Sequence, residues 1–264
     1  MTLNDDLAAF REAHPPQTLN HGGIAWRYHR GGSGTPTIVI ATGALGIAEA
    51  GFQVQSLLEK RFTVLTMDYP DVASAPDLID GLLAILDAEG TTTAMWHGGS
   101  FGGLIVQRVV ERAPERVAGI ILSHTGLVTA AQMPGWALWL MEILPASWVN
   151  GLFKKRLRGF LAGAPPFWLE WFERVITAFS RDQLVRRLKL ADSLGKMPSG
   201  RAWTGPTLIV ESDNDPAVKP EARQALRAAF PGARVHRFSG TGHSASILDP
   251  VGTARVVTEF AESL

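Results

Sequence analysis

The sequence predicts an α/β fold: a mostly parallel central sheet flanked by helices, with one helical insertion. Two observations predict it. Short β-type runs alternate with amphipathic helical patterns along most of the chain, as strand–helix–strand crossovers require. A Trp-rich helical stretch from Leu127 to about Met197 breaks that alternation, which then resumes. With 46% hydrophobic and 19% charged residues among 264, the chain has enough apolar side chains for a real core.

Ile24 to His29 reads as an early strand, closed by Gly31-Gly32-Ser33-Gly34. Thr37 to Ala41 is a buried strand, followed by the turn Thr42-Gly43-Ala44-Leu45-Gly46. Phe52 to Glu59 is helical, and Phe62 to Met67 is the next strand. Leu78, Ile79, Leu82, Leu83 and Leu86 recur at helical spacing. Thr93 to His97 is a short strand entering Gly98-Gly99-Ser100-Phe101-Gly102-Gly103, and Leu104 to Arg112 is a helix stopped by Pro114. Val117 to Ser123 is a strand. After the insertion come the strand Thr207 to Glu211, a helix near Glu221 to Ala229, the strand Arg234 to Phe238 and a final helix from Val251. The expected division is therefore a core of residues 1–126 and 198–264 with an insertion of 127–197.

Several function classes are excluded or disfavoured. Lys plus Arg and Asp plus Glu both number 25, so no basic excess points to nucleic acid. There are no cysteines, which removes disulfides, thiolate metal sites and a cysteine nucleophile. No H-E-x-x-H or EF-hand spacing suggests a metal, and the glycines at 98–103 match neither a P-loop nor a dinucleotide fingerprint. No cofactor is expected. The first residues lack a basic start followed by an apolar run, and no stretch of about 18 charge-free apolar residues exists. A cytoplasmic enzyme without an integral membrane segment is the default expectation.

Gly98-Gly99-Ser100-Phe101-Gly102 fits G-x-S-x-G between a strand and a helix. The demand behind that pattern is steric: on so sharp a turn, the residues two before and two after the serine must be small. The following helix aims its positive N-terminal end at developing negative charge. A serine hydroxyl needs a base to remove its proton. Of seven histidines, His243 in Gly240-Thr241-Gly242-His243-Ser244 occupies a loop after the last strand, at the sheet edge where ligands bind. His124, after a strand, is the runner-up and a candidate for the pocket wall; His97 is expected to pack beneath the elbow. The acid that orients the imidazole is expected in Glu211-Ser212-Asp213-Asn214-Asp215-Pro216, where Asp215 is favoured and Asp213 and Glu211 compete. Two backbone donors for an oxyanion are expected at the N–H groups of Phe101 and Ala44.

Together the elbow, the acidic loop after Pro206-Thr207-Leu208-Ile209-Val210 and the Gly242-His243 loop resemble the α/β-hydrolase superfamily, in its chain order of Ser, acid, His. The resemblance runs from Ile24 to the C-terminus. It implies an α/β-hydrolase fold with residues 127–197 as a helical cap, and a serine hydrolase with Ser100, Asp215 and His243 as triad. A finer likeness, in Thr66-Met67-Asp68-Tyr69-Pro70 and Phe230-Pro231-Gly232-Ala233-Arg234, is to the maspardin-related branch, which includes members thought to bind rather than catalyse. The chain departs from the common pattern at Ala41-Thr42-Gly43-Ala44, where His-Gly is usual, and at Ser212, where Gly is frequent.

The insertion carries Trp136, Trp139, Trp148, Trp168 and Trp171 with several Phe and Met residues, including Phe160. That density suggests an apolar pocket, while most of these rings are expected to pack the insertion onto the core; Trp136 to Leu144, and hence Trp136 and Trp139, is the helix expected to face a pocket. The expected partner is a small acyl substrate: an ester first, with a thioester, lactone, carbon–carbon bond or perhydrolysis as alternatives. A non-catalytic binding protein of the same fold is the reading from a different class. Oligomeric state is left open.

Overall fold

The computed structural model describes residues 2–72, 74–198, 200 and 202–264. The expected second core segment, from 198, opens beside two positions outside that set, 199 and 201. Among the described residues eight strands form one sheet: β1 (Gln17–His21), β2 (Ile24–Gly31), β3 (Thr37–Ala41), β4 (Thr63–Met67), β5 (Ala94–Gly99), β6 (Val117–Ser123), β7 (Thr207–Ser212) and β8 (Arg234–Phe238). Their order across the sheet is β1-β2-β4-β3-β5-β6-β7-β8. β2 runs antiparallel to both β1 and β4, and the pairs from β4 through β8 are parallel.

The central strands are buried on both sides, so they read as continuous apolar runs. Alternation still divides their side chains between two cores. Val39, Leu65, Trp96, Ile120 and Ile209 pack with the helices Ala75–Ala88 and Phe101–Arg112 on one face; Ile38, Val64, Met95, Ile121 and Leu208 pack with Phe52–Leu58 and Pro250–Ala261 on the other. Among the described residues the α-helices are α1 (Leu3–Ala13), α2 (Phe52–Leu58), α3 (Ala75–Ala88), α4 (Phe101–Arg112), α5 (Gly135–Ile143), α6 (Ala146–Phe160), α7 (Pro166–Ala178), α8 (Arg181–Lys196), α9 (Pro220–Ala229), α10 (Ala245–Leu248) and α11 (Pro250–Ala261). Burying each of the large side chains in these clusters contributes about 1.5–3 kcal/mol.

Two elements precede the first expected strand. Thr2 caps α1 reciprocally with Asp5, and Leu7 and Phe10 bury its inner face. β1 then pairs with β2 at the sheet edge.

Between β6 and β7 the chain makes a short 3₁₀ turn (Val128–Ala131) and runs through α5 to α8. Trp168, Trp171 and Phe172 of α7 cluster with Leu7, Phe10 and Phe52, which fastens this stretch to α1 and α2. The other seam joins Leu190 and Leu194 of α8 to the core cluster of α3 and α4 and adds polar ties. The fully buried Arg108 of α4 donates from Nε to the Leu194 carbonyl at 2.8 Å, satisfying the C-terminal end of α8. Arg187 of α8 donates to the carbonyls of Tyr69 and Pro70.

Candidate active site

Ser100 sits between β5 and α4 with φ 53° and ψ −115°, a left-handed backbone that non-glycine residues seldom adopt. The flanking glycines make the turn possible. A Cβ on Gly98 would lie 2.5 Å from the Gly102 carbonyl oxygen, and one on Gly102 would overlap the Ala41 carbonyl. The Ser100 N–H donates to the Ser123 carbonyl at 2.9 Å, which ties the elbow to β6.

Three distant segments converge on this serine. The Ser100 Oγ lies 2.9 Å from Nε2 of His243, and Nδ1 of His243 lies 3.0 Å from both carboxylate oxygens of Asp215. Hydrogen-bond logic sets the tautomer: Nδ1–H donates to the carboxylate, which leaves Nε2 as the acceptor of the serine proton. The two loops are latched to each other, because Gly240 N–H donates to Asp213 at 3.0 Å and Gly242 N–H to Asn214 at 2.9 Å. Burial alone would raise the Asp215 carboxyl. Its hydrogen bond to His243, the charge of that ring and the N–H groups of Val218 and Ala217 outweigh burial and hold it below the ordinary carboxylate range.

The geometry separates the competing acids. Asp213 accepts from Ser239 and Gly240 and serves as the latch. Glu211 is buried beneath two guanidiniums, those of Arg227 and Arg237. Only Asp215 of the three reaches the His243 ring.

Behind His243 lies a second polar layer. His124 has φ 48°, and its Nε2 lies 2.7 Å from Ser212 Oγ, which bonds Thr241 at 2.6 Å. Its ring is 6.1 Å from that of His243, edge to face. Burial, and then the neighbouring His243, lower the His124 pKa to about 4, with Asp215 opposing. His97 lies beneath the elbow as expected, 2.9 Å from Ser123 Oγ, and burial lowers it to about 4. Ser212, at the position where Gly is frequent, is thus the hydroxyl that satisfies His124.

The turn after β3 is held by Tyr69, which residue patterns alone did not single out. Its N–H donates to the Gly46 carbonyl at 2.8 Å, its hydroxyl to the Thr42 carbonyl at 2.9 Å, and its ring centroid lies 6.0 Å from that of Phe101. Tyr69 therefore touches both segments expected to supply oxyanion donors. Among the described hydrogen bonds, the N–H groups of Ala44 and Phe101 have no acceptor.

The expectation that Trp136 and Trp139 face a pocket is corrected. Trp136 and Trp139 are 69% and 59% exposed, so they stand in water. The cause is the seating of α5: it packs on α8, where Glu142 pairs with Lys189, and turns its indoles outward. His124 is buried, with its ring between Ser212 Oγ and the His243 ring. The aromatic that reaches the site is Phe160, at the end of α6, 4.5 Å from the His243 ring. In the sequence it is one Phe among many.

Residues 29–256 match the family described as the alpha/beta hydrolase family. The chain belongs to it. Of three curated relatives, two bear the names of a hydrolase and an esterase and the third that of a polyketide synthase. The chain is 30% identical over 84% of its length to the polyketide synthase ThaQ of Burkholderia thailandensis, but spans only 12% of that protein. It is 25% identical to a 2-hydroxy-6-oxononadienedioate/2-hydroxy-6-oxononatrienedioate hydrolase of Klebsiella pneumoniae, covering 85% of this chain and 87% of that one. It is 26% identical to esterase YbfF of Escherichia coli over 74% and 75% of the two chains. A solved hydrolase from Pseudomonas aeruginosa superposes with TM-score 0.76 at 20% identity, covering 93% of this chain and 98% of that one, a likeness of fold. Family and relatives support a hydrolase.

Among the described residues no group of three or more His, Cys, Asp or Glu is arranged to hold a metal, and no helix is long and apolar enough to cross a membrane.

Proposed function

We propose that the protein hydrolyses a carboxylic ester, or a related acyl bond, of a small and largely apolar substrate through a Ser-His-Asp triad. The carrying observation is the relay Ser100–His243–Asp215, with contacts of 2.9 and 3.0 Å. Ser100 Oγ attacks the acyl carbon while its proton passes to Nε2 of His243. The carbonyl oxygen becomes an oxyanion facing the N–H groups of Phe101 and Ala44. The bond to the leaving group then breaks, and His243 returns the proton to the departing oxygen. Water, deprotonated by the same ring, attacks the acyl-enzyme and releases the acid and free Ser100. Asp215 stays ionised and stabilises the imidazolium; its lowered pKa fits that role.

In this reading, residues 127–197 form a cap over the site, and Phe160 supplies part of an apolar wall beside His243. The 25%-identical relative named as a 2-hydroxy-6-oxononadienedioate hydrolase favours a second reading, in which the same triad cleaves a carbon–carbon bond.

The test is a panel of p-nitrophenyl esters of increasing acyl length, thioesters, lactones and a vinylogous 1,5-diketone, run on wild type and Ser100→Ala. Turnover of esters that Ser100→Ala lacks supports the first reading. Preference for the diketone supports the second. No turnover of any member by folded wild type contradicts both and favours a binding protein.

A further inference from the structure

Two consecutive helices between β6 and β7 leave large apolar side chains in water. Trp136, Trp139 and Ile143 recur along one side of α5, and Trp148 and Leu152 along α6. All five are exposed. The other large exposed apolar side chains among the described residues are Val235, Val251 and Leu264, far apart in the chain. Single exposed apolar residues are ordinary; a run of them that includes three indoles marks an interaction surface.

Charge identifies the occupant. From 135 to 160 the one carboxylate, Glu142, is paired with Lys189. The same stretch carries Lys154, Lys155, Arg156 and Arg158. Arg158 pairs with Glu173, while Lys155 and Arg156 are exposed and make no ion pair among the described residues. Indoles at an interface with cations beside them match the headgroup zone of an anionic bilayer: the rings sit at the apolar–polar boundary and the long basic side chains reach the phosphates. A second copy of this chain would bring like charges toward one another, so it fits less well.

We propose that α5 and the first turns of α6 dock the protein, peripherally, on an anionic phospholipid surface. The position gives the docking a use. α6 ends at Phe160, whose ring lies against His243 and whose carbonyl accepts from Ser244 Oγ at 3.0 Å. The helix that meets the surface thus abuts the relay, and substrates dissolved in the surface layer are concentrated beside it.

Cosedimentation of the full chain with vesicles tests this. Wild type is expected to sediment with equimolar phosphatidylglycerol–phosphatidylcholine vesicles, to sediment weakly with phosphatidylcholine alone, and to release as salt screens the headgroups. Replacing Trp136, Trp139 and Trp148 together by Ser, and separately making Lys155→Glu with Arg156→Glu, is expected to lower partitioning about tenfold or more in each case. Unchanged melting temperatures show that these variants fold. Ser100→Ala is expected to bind as wild type does, so the docking result stands whatever the substrate panel gives. Three results would overturn the proposal: no binding to anionic vesicles, binding by the triple Trp variant equal to wild type, or a wild-type dimer in light scattering that the Trp variant dissociates.

Discussion

Ser100 holds its hydroxyl above the sheet by accepting a strained backbone, and the strain is tolerable because Gly98 and Gly102 remove the side chains that would collide. Asp215→Asn keeps this geometry but removes the charge that favours the productive tautomer of His243. Its kcat is expected to fall on the order of 10⁴-fold with little change in melting temperature, measured on the best ester of the panel. Tyr69→Phe deletes the bond to the Thr42 carbonyl while keeping the ring against Phe101. If Tyr69 positions the oxyanion turn, kcat drops about tenfold while KM stays within about twofold; a drop in stability with unchanged kcat contradicts that role. The elbow, His243 and Asp215 are legible in the sequence because each is set by a local demand: small neighbours, a loop after the last strand, a carboxylate before a proline. Tyr69 and Ser212 are not, because what they bond is fixed only when the strands close side by side. Phe160 escaped for a related reason: which of many aromatics meets His243 depends on how helices 5 to 8 settle.

At the scale of elements, Arg108 is the tie between α4 and the helices that follow β6. Arg108→Met leaves the Leu194 carbonyl and the end of α8 without their donor. The expected cost is about 2–4 kcal/mol, a fall in melting temperature of roughly 4–16 °C by calorimetry. An unchanged melting temperature would mean that α8 is held by its apolar side alone. The strands β3, β6 and β8 have the bounds their sequence patterns predict: β3 and β6 are short apolar runs, and the more polar β8 lies between Gly232 and Ser239-Gly240. α1 and β1 carry weaker signals: α1 presents Leu3, Leu7 and Phe10 to the core, and β1 is a polar edge strand paired with β2. α5 misleads for the opposite reason. It is apolar on several sides, so its pattern does not say which side meets protein and which meets water.

For the whole molecule, burial of two neutral histidines couples folding to pH. His97 and His124 titrate at about 4 in the fold, against an ordinary value near 6.5. Between those values the unfolded chain binds more protons than the native one, so stability falls as pH drops from about 6.5 toward 4, by up to about 1.4 kcal/mol per pH unit for each ring. A series of melting temperatures from pH 7.5 to 4.5 should show this slope, and His97→Gln should flatten it; a flat wild-type series would contradict neutral burial. The mostly parallel sheet follows from alternation legible in the sequence, whereas the order of its strands and the seating of helices 5 to 8 rest on long-range contacts such as Arg108 to Leu194. The central claim is that the hydroxyl of residue 100 is made nucleophilic by the imidazole of residue 243. Its most direct measurement is intact-protein mass spectrometry after exposure to a fluorophosphonate. The account predicts one adduct on wild type, mapped by peptide sequencing to Ser100 and lost in His243→Ala; a folded wild type that takes up no label, or takes it elsewhere, contradicts it.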